Sequence, residues 1–258
     1  MPLPERIAGF LIDLDGTVFE GDSLIPGAAD ALGVLAAKAI PFRLVTNTTS
    51  KPLSAIIAKL HKAGLMLPAE HVFSAPVIAR EYCLQRGFTR CFPLLKKSLL
   101  EDLQGIEFVE SAPDAVLVGD LGDELTYAAL NQAFRCLLDG AAFVTMARNR
   151  YFKGSDGLCL DVGSIVAGLE YATQREATLV GKPAAEFFLP ALQSMGVTAA
   201  EAAMIGDDLE ADVGGAQAAG IAGVLVRTGK FRAEQLEKAP RAPDSVLDSI
   251  ADLPGLLG

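Results

Sequence analysis

The chain has 258 residues, of which 51% are hydrophobic, and a formal net charge of -10 from 22 basic and 32 acidic residues. That length suits one domain plus an insert, and that apolar content supports a large core and excludes an intrinsically disordered chain. The acidic balance repels phosphate backbones and argues against nucleic acid as a partner, while the lack of a basic-then-apolar leader or a bilayer-length apolar window reads as a soluble, cytoplasmic protein with no membrane partner.

Residues 7–14 (IAGFLIDL) predict a strand buried on both faces, the mark of a parallel sheet. Pro26 and Gly27 open a helix through about Lys38, and residues 42–46 (FRLVT) predict a second strand. Pro52 starts a helix with Leu53, Ile56, Ile57 and Leu60 on one face and Gly64 placed to end it. Ser74 is positioned to cap another helix that closes at Gly87. The middle repeats the alternation: a strand near Arg90–Leu94, a helix near Ser98–Gln104, a strand at 115–119, a helix from about Leu125 to Leu138 and a strand at 142–146. Asp156-Gly157 suggests a turn before Leu158–Leu160, and a helix follows through about Ala172. A strand at 177–180 leads into Gly181-Lys182-Pro183 and a new helix. Residues 202–205 (AAMI) and 222–226 (AGVLV) predict two more core strands, separated by a helix ending near Gly220. Such alternation favours an α/β fold with open parallel sheets.

Cys83, Cys91, Cys136 and Cys159 are scattered without CxxC spacing, so buried free thiols are preferred over a disulfide framework or a zinc site. His61 and His71 are the only histidines, and His61 falls in a helical pattern between two lysines. Chemistry in this chain therefore has to run on carboxylates, lysine and hydroxyls.

Open parallel sheets bind ligands at the carboxyl ends of their strands. The first predicted strand ends in Asp13-Leu14-Asp15-Gly16-Thr17, and the second in Thr46-Asn47. The strand at 177–180 delivers Lys182, and that at 202–205 delivers Gly206-Asp207-Asp208, with Asp212 further on. Two carboxylates tolerate each other when a divalent cation and a lysine neutralise them. An all-oxygen donor set suits a hard ion that keeps several waters, which points to Mg²⁺ with a phosphate completing its shell. Lys182, Thr46, Asn47 and the backbone N–H groups near Gly16 could hold phosphate oxygens. A carboxylate beside the metal is a competent nucleophile toward phosphorus and would give an aspartyl-phosphate. Each piece also has a plain structural reading: DLDG as a turn, Asp207-Asp208 as a helix cap, Lys182 as a solvated loop residue, Thr46-Asn47 as a turn. Their coincidence at successive strand ends is what favours chemistry.

DLDGT (13–17), VTN (45–47), GKP (181–183) and GDDLEAD (206–212) resemble the four ordered motifs of the haloacid dehalogenase superfamily, and the resemblance spans almost the whole chain. The long gap between the second and third motifs resembles the branch with a large α/β cap, subclass IIA. TNTTS (46–50), VGKPAAEFF (180–188) and VRTGKFR (226–232) narrow the likeness to phosphatases of that branch. The resemblance implies a Rossmannoid parallel-sheet core from 1–80 and 177–258, with a smaller α/β cap inserted at 81–176. It further implies Mg²⁺ and phosphatase activity on a small phosphorylated metabolite, and often pairing into a homodimer through the cap.

Carried over by motif, Asp13 would be nucleophile and metal ligand. Asp15 would bind the metal through its backbone carbonyl, protonate the leaving group and activate water. Thr46 would hydrogen-bond the phosphoryl group, with Asn47 beside it, and Lys182 would neutralise charge. Asp207 would bind the metal. Asp212 would act from behind, on a metal-bound water or on Lys182, and Asp208 would hold a metal-bound water or merely cap the helix. The dehalogenases of the superfamily lack the second aspartate of the first motif, so Asp15 argues for phosphoryl transfer. A phosphomutase or a phosphonatase is the alternative within enzymes. A phospho-aspartate receiver domain is the alternative outside them, although receivers are much shorter. In the cap, Arg148-Asn149-Arg150-Tyr151-Phe152-Lys153 puts three cations and two aromatics directly after a strand. Arg150 and Lys153 are candidates for contact with the substrate's leaving group, against the plain reading of a solvated loop.

Overall fold

The structure, a computed structural model, describes residues 3–4, 6–153 and 157–257, with the backbone alone at Lys153. In chain order its strands are β1 (Gly9–Asp13), β2 (Phe19–Glu20), β3 (Ser23–Leu24), β4 (Phe42–Thr46), β5 (Val72–Ser74), β6 (Arg90–Leu94), β7 (Glu107–Phe108), β8 (Ala115–Val118), β9 (Ala142–Thr145), β10 (Tyr151–Lys153), β11 (Leu158–Leu160), β12 (Thr178–Leu179), β13 (Ala202–Gly206), β14 (Ala222–Val226) and β15 (Ser245–Leu247). The α-helices used below are α1 (Ala28–Ala37), α2 (Leu53–Lys62), α3 (Ala75–Gln85), α4 (Tyr127–Leu138), α5 (Val162–Thr173), α6 (Ala185–Met195) and α7 (Gly215–Ala218). No helix among the described residues is long and apolar enough to cross a membrane.

The chain forms two compact units, one from residues 1–46, 54–73 and 182–258, the other from 47–53 and 74–181. The first is built on a six-stranded sheet in the order β15-β14-β13-β1-β4-β5. Strand β1 pairs in parallel with β13 and β4, β13 with β14, and β14 with β15. Every residue of β1, β13 and β14 is buried, as strands covered on both faces must be. Phe10, Leu11, Ile12, Leu44, Phe187 and Phe188 form much of that core.

The second unit has its own parallel sheet, ordered β12-β9-β8-β6-β7, and a separate antiparallel pair, β10 with β11. Helices α4 and α5 close one face over Phe92, Leu94, Val116, Val118 and Phe143, with Val166 of α5 in the same cluster. This α/β architecture, two parallel sheets with helices, agrees with the predicted fold class.

Several expectations change. The strand expected at 177–180 belongs to the second sheet, because Thr178 and Leu179 pair with Val144 and Thr145 of β9. Helix α3 also lies in the second unit, so the units meet the chain at 74 and 181 rather than 81 and 176. Ser74 precedes α3 but accepts no capping bond, and its buried hydroxyl has no partner. The helix expected near Ser98–Gln104 is a 3-10 segment over Lys97–Asp102. Of the Arg148–Lys153 segment, expected as a loop, residues 151–153 are strand, with Tyr151 opposite Leu160. In the expected Asp156-Gly157 turn, Asp156 lies outside the described residues. Cys83, Cys91 and Cys136 are buried free thiols, and Cys159 is half-buried.

Candidate active site

Strand β1 delivers Asp13 as its last residue, opposite Val45 of β4. Thr46, the next residue of β4, is buried at the same sheet edge. Strand β13 ends at Gly206 and hands over Asp207 and Asp208. The chain then departs from ordinary α-helix. Leu209–Gly214 is a π-helical turn leading into α7, a deviation that tends to mark functional sites. Asp208 caps it, accepting from the N–H groups of Glu210 at 3.1 Å and Ala211 at 3.0 Å. The turn brings Asp212 back over the strand end, where its Oδ2 accepts from Asp208 N–H at 3.1 Å.

Lys182 binds this set together. Its Nζ donates to Asp13 Oδ1 at 2.5 Å and to Asp212 Oδ1 at 2.7 Å, and all three side chains are buried. Burial alone would lower the lysine's pKa. Asp13 and Asp212 outweigh it and hold the ammonium above the ordinary lysine range. Asp13 is pushed well above the usual carboxylate range, first by burial. Lys182 pulls it back, while Asp212 and Asp207 push it further up. Asp207 is raised to about 7 by burial and then by Asp212, against the N–H of Lys230. Burial also pushes Asp208 up, but Lys230 and two backbone N–H groups prevail and hold it low.

These directions describe a site with more buried negative charge than one ammonium balances. Asp13 Oδ2 is buried and has no hydrogen-bond partner. Asp13, Asp207 and Asp212 each offer a carboxylate oxygen within 4.8 Å of the others, so the residues fit a cation. Asp212 already has both oxygens engaged, by Lys182 and by Asp208 N–H. Asp13 and Asp207 are therefore the better pair of ligands.

Space for Asp207 is kept by two glycines. Gly16 and Gly229 have φ of 94° and 59°, values that L side chains rarely adopt. A Cβ at either position would overlap Asp207 Oδ2. Thr228 ties the two loops together by donating from Oγ1 to Gly16 O at 2.5 Å. Lys230 adds its backbone N–H to Asp207 Oδ2 at 2.7 Å and its ammonium to Asp208 Oδ2 at 3.0 Å.

The haloacid dehalogenase-like hydrolase pattern matches residues 10–109, and a HAD-hydrolase-like pattern matches 179–253. A cattle relative, haloacid dehalogenase-like hydrolase domain-containing protein 2, is 42% identical over 94% of this chain and 93% of its own. The chain belongs to the haloacid dehalogenase-like hydrolase family. Human phospholysine phosphohistidine inorganic pyrophosphate phosphatase, another relative, is 34% identical over 99% of this chain and 97% of its own. Among solved structures, the 4-nitrophenylphosphatase of Thermotoga maritima superposes with a TM-score of 0.92, at 32% identity, covering 98% of both chains.

Within this haloacid dehalogenase-like hydrolase, Asp13, Asp207, Asp208, Asp212 and Lys182 form one cluster in the first unit. Asp15 stands beside it with an exposed carboxylate, 3.3 Å from Lys59 Nζ. Asn47 belongs to the second unit, as do Arg150, which is exposed, and Lys153. Lys59, Thr228, Gly229 and Lys230 were not singled out by sequence reasoning. The tract VRTGKFR was legible as a likeness, but no spacing rule connects it to Asp207.

Proposed function

We propose that this protein is a Mg²⁺-dependent phosphatase that hydrolyses a small phosphorylated metabolite through an aspartyl-phosphate on Asp13. The observation that carries the reading is the asymmetry of Asp13. One carboxylate oxygen is held by Lys182, while the other is buried and has no hydrogen-bond partner, and the residue belongs to the acidic cluster. An oxygen so presented is ready to attack.

In this reading Asp13, Asp207 and the backbone carbonyl of Asp15 hold Mg²⁺, which supplies charge neutralisation for the phosphoryl oxygens. Asp13 Oδ2 attacks phosphorus, and the bond to the leaving oxygen breaks. Asp15 gives that oxygen its proton. Asp15 then takes a proton from water as the water oxygen attacks phosphorus, which releases phosphate and restores Asp13. Lys182 holds the nucleophile's other oxygen and offsets charge. Asp212 keeps Lys182 in place, and Thr46, with Asn47 beside it, hydrogen-bonds the phosphoryl group. Lys230 and Asp208 fix the segment that carries Asp207.

Sugar and nucleoside phosphates, phosphoamino acids and pyrophosphate are the substrates to screen, and the name of one relative carries phospholysine, phosphohistidine and pyrophosphate. Self-pairing through the second unit is part of the proposal. Exposed Tyr127, Leu158, Leu160 and Tyr171 support it, and light scattering on the purified chain tests it.

The deciding experiment is hydrolysis of p-nitrophenyl phosphate and a metabolite panel with Mg²⁺ and with excess EDTA. Turnover that depends on Mg²⁺ supports the reading. Full turnover in EDTA rejects the metal, and no turnover on any phosphoester rejects the phosphatase.

A further inference from the structure

Asp15 differs from its neighbours in the motif. Its side chain is 61% exposed, whereas Asp13, Asp207 and Asp212 are buried. The carboxylate nevertheless lies 3.3 Å from the ammonium of Lys59, near the end of α2. Lys59 is itself only 23% exposed, while Lys62 on the same helix is exposed. Its Nζ also stands 4.3 Å from the centroid of the Phe19 ring, a cation–π distance.

Phe19 is buried and begins β2. Its carbonyl accepts from Gly16 N–H at 2.6 Å, and Asp15 and Phe19 form an isolated bridge. One lysine, from a different element, thus grips both ends of the turn that carries Asp15. A half-exposed ion pair of this sort adds little to stability. Its consequence is orientation: the ion pair draws the carboxylate toward Lys59 and narrows the rotamers open to it.

We propose that Lys59 is a positioning residue for Asp15. It holds the carboxylate in the orientation from which Asp15 exchanges protons with the leaving group and with water. The inference rests on the reading of Asp15 as general acid and base. Lys59 acts on the reaction only through that side chain.

Two variants of the full chain test it, Lys59→Met and Lys59→Arg, on p-nitrophenyl phosphate and on phenyl phosphate, whose leaving group needs a proton more. Lys59→Met should lower kcat about tenfold for both substrates, which share hydrolysis of the aspartyl-phosphate, and should lower kcat/KM more for phenyl phosphate than for p-nitrophenyl phosphate, since misplacing a catalytic group costs up to about 100-fold. Lys59→Arg should restore most of the rate, and in an Asp15→Asn background Lys59→Met should have no further effect. An effect on KM alone, or one that persists in Asp15→Asn, overturns the proposal. A crystal structure of Lys59→Met gives a readout independent of activity. Asp15 should leave its single rotamer, and an unmoved carboxylate overturns the proposal too. A wild-type protein inert toward every phosphoester would sink the phosphatase reading. The Asp15 rotamer would still decide whether Lys59 holds that carboxylate.

Discussion

Asp212 holds Lys182 by a 2.7 Å bond, and the same ammonium grips Asp13 at 2.5 Å. The two acids share one counter-ion in a buried setting, so the lysine is part of what holds the fold together. Lys182→Ala should leave two buried carboxylates without it. Removing one partner of a buried pair costs about 3–5 kcal/mol. In urea with EDTA at pH 8 the variant's midpoint should fall accordingly. Asp212→Asn, which keeps an acceptor for Asp208 N–H, should cost less, about 1.5–3 kcal/mol for a charged hydrogen bond lost. A Lys182→Ala protein as stable as the parent would show that the carboxylates are neutralised by other means.

The glycine pair makes a second prediction. Gly16→Ala and Gly229→Ala each put a methyl where Asp207 Oδ2 lies, on a backbone that disfavours any side chain. Either should displace Asp207 and weaken Mg²⁺ binding by at least about tenfold, as loss of a supporting contact at a metal site does. Isothermal titration with Mg²⁺ reads this directly. Unchanged affinity in both variants would mean that Asp207 is not a ligand.

Much of this site was legible because the rule that placed it is topological. A parallel strand points its last residue at the ligand edge, so Asp13, Thr46 and Asp207 could be located from apolar runs alone. Lys182 was located for a partly wrong reason. Strand β12, which precedes it, belongs to the second sheet, and an apolar run of four residues carries no mark of which sheet it joins. Gly229 and Lys230 were out of reach for another reason. They lie in the loop after β14, and their closeness to Asp207 depends on the φ values of two glycines rather than on any periodicity. The hairpin of β2 and β3 escaped because two-residue strands are too short to show alternation. The π-turn escaped because its signal is a capping aspartate that an α-helix would share.

Asp13 and Asp15 should fail differently as asparagines. Under the proposed roles Asp13→Asn loses the attacking carboxylate, so no covalent species should form. Asp15→Asn keeps the backbone carbonyl and removes the proton donor and base. With p-nitrophenyl phosphate the leaving group scarcely needs a proton, and attack by Asp13 proceeds. Hydrolysis of the aspartyl-phosphate needs a base, whose help is worth about 10²–10⁴-fold. Asp15→Asn should therefore release a burst of nitrophenolate and stall. Mass spectrometry of acid-quenched protein should find one phosphoryl group on the peptide carrying Asp13. Turnover retained by Asp13→Asn, with no burst or label in Asp15→Asn, would reverse the assignment.

Without the metal, the stability of the fold should depend on pH. Burial raises Asp13 and Asp207 in the fold, Asp207 to about 7, while an unfolded aspartate titrates near 3.8. Between those values the folded state binds more protons than the unfolded one, so stability is present at low pH and lost as pH rises toward about 7. Asp208 is shifted the other way, and its contribution is lost only below 3.8, outside that window. Lys182 is held above the ordinary lysine range and stays charged throughout. The metal-free protein in EDTA should therefore lose thermal stability from pH 5 to pH 7.5. An ion bound by Asp13 and Asp207, as proposed, would compete with protons for them, so stabilisation by Mg²⁺ should grow over the same interval. Scanning calorimetry at pH 5.5 and 7.5, with EDTA or with 10 mM Mg²⁺ (about 100-fold above a Kd on the order of 0.1 mM, worth about 2.7 kcal/mol), measures both slopes. An increment in Tm that is equal at the two pH values would show that these carboxylates are not where the ion binds.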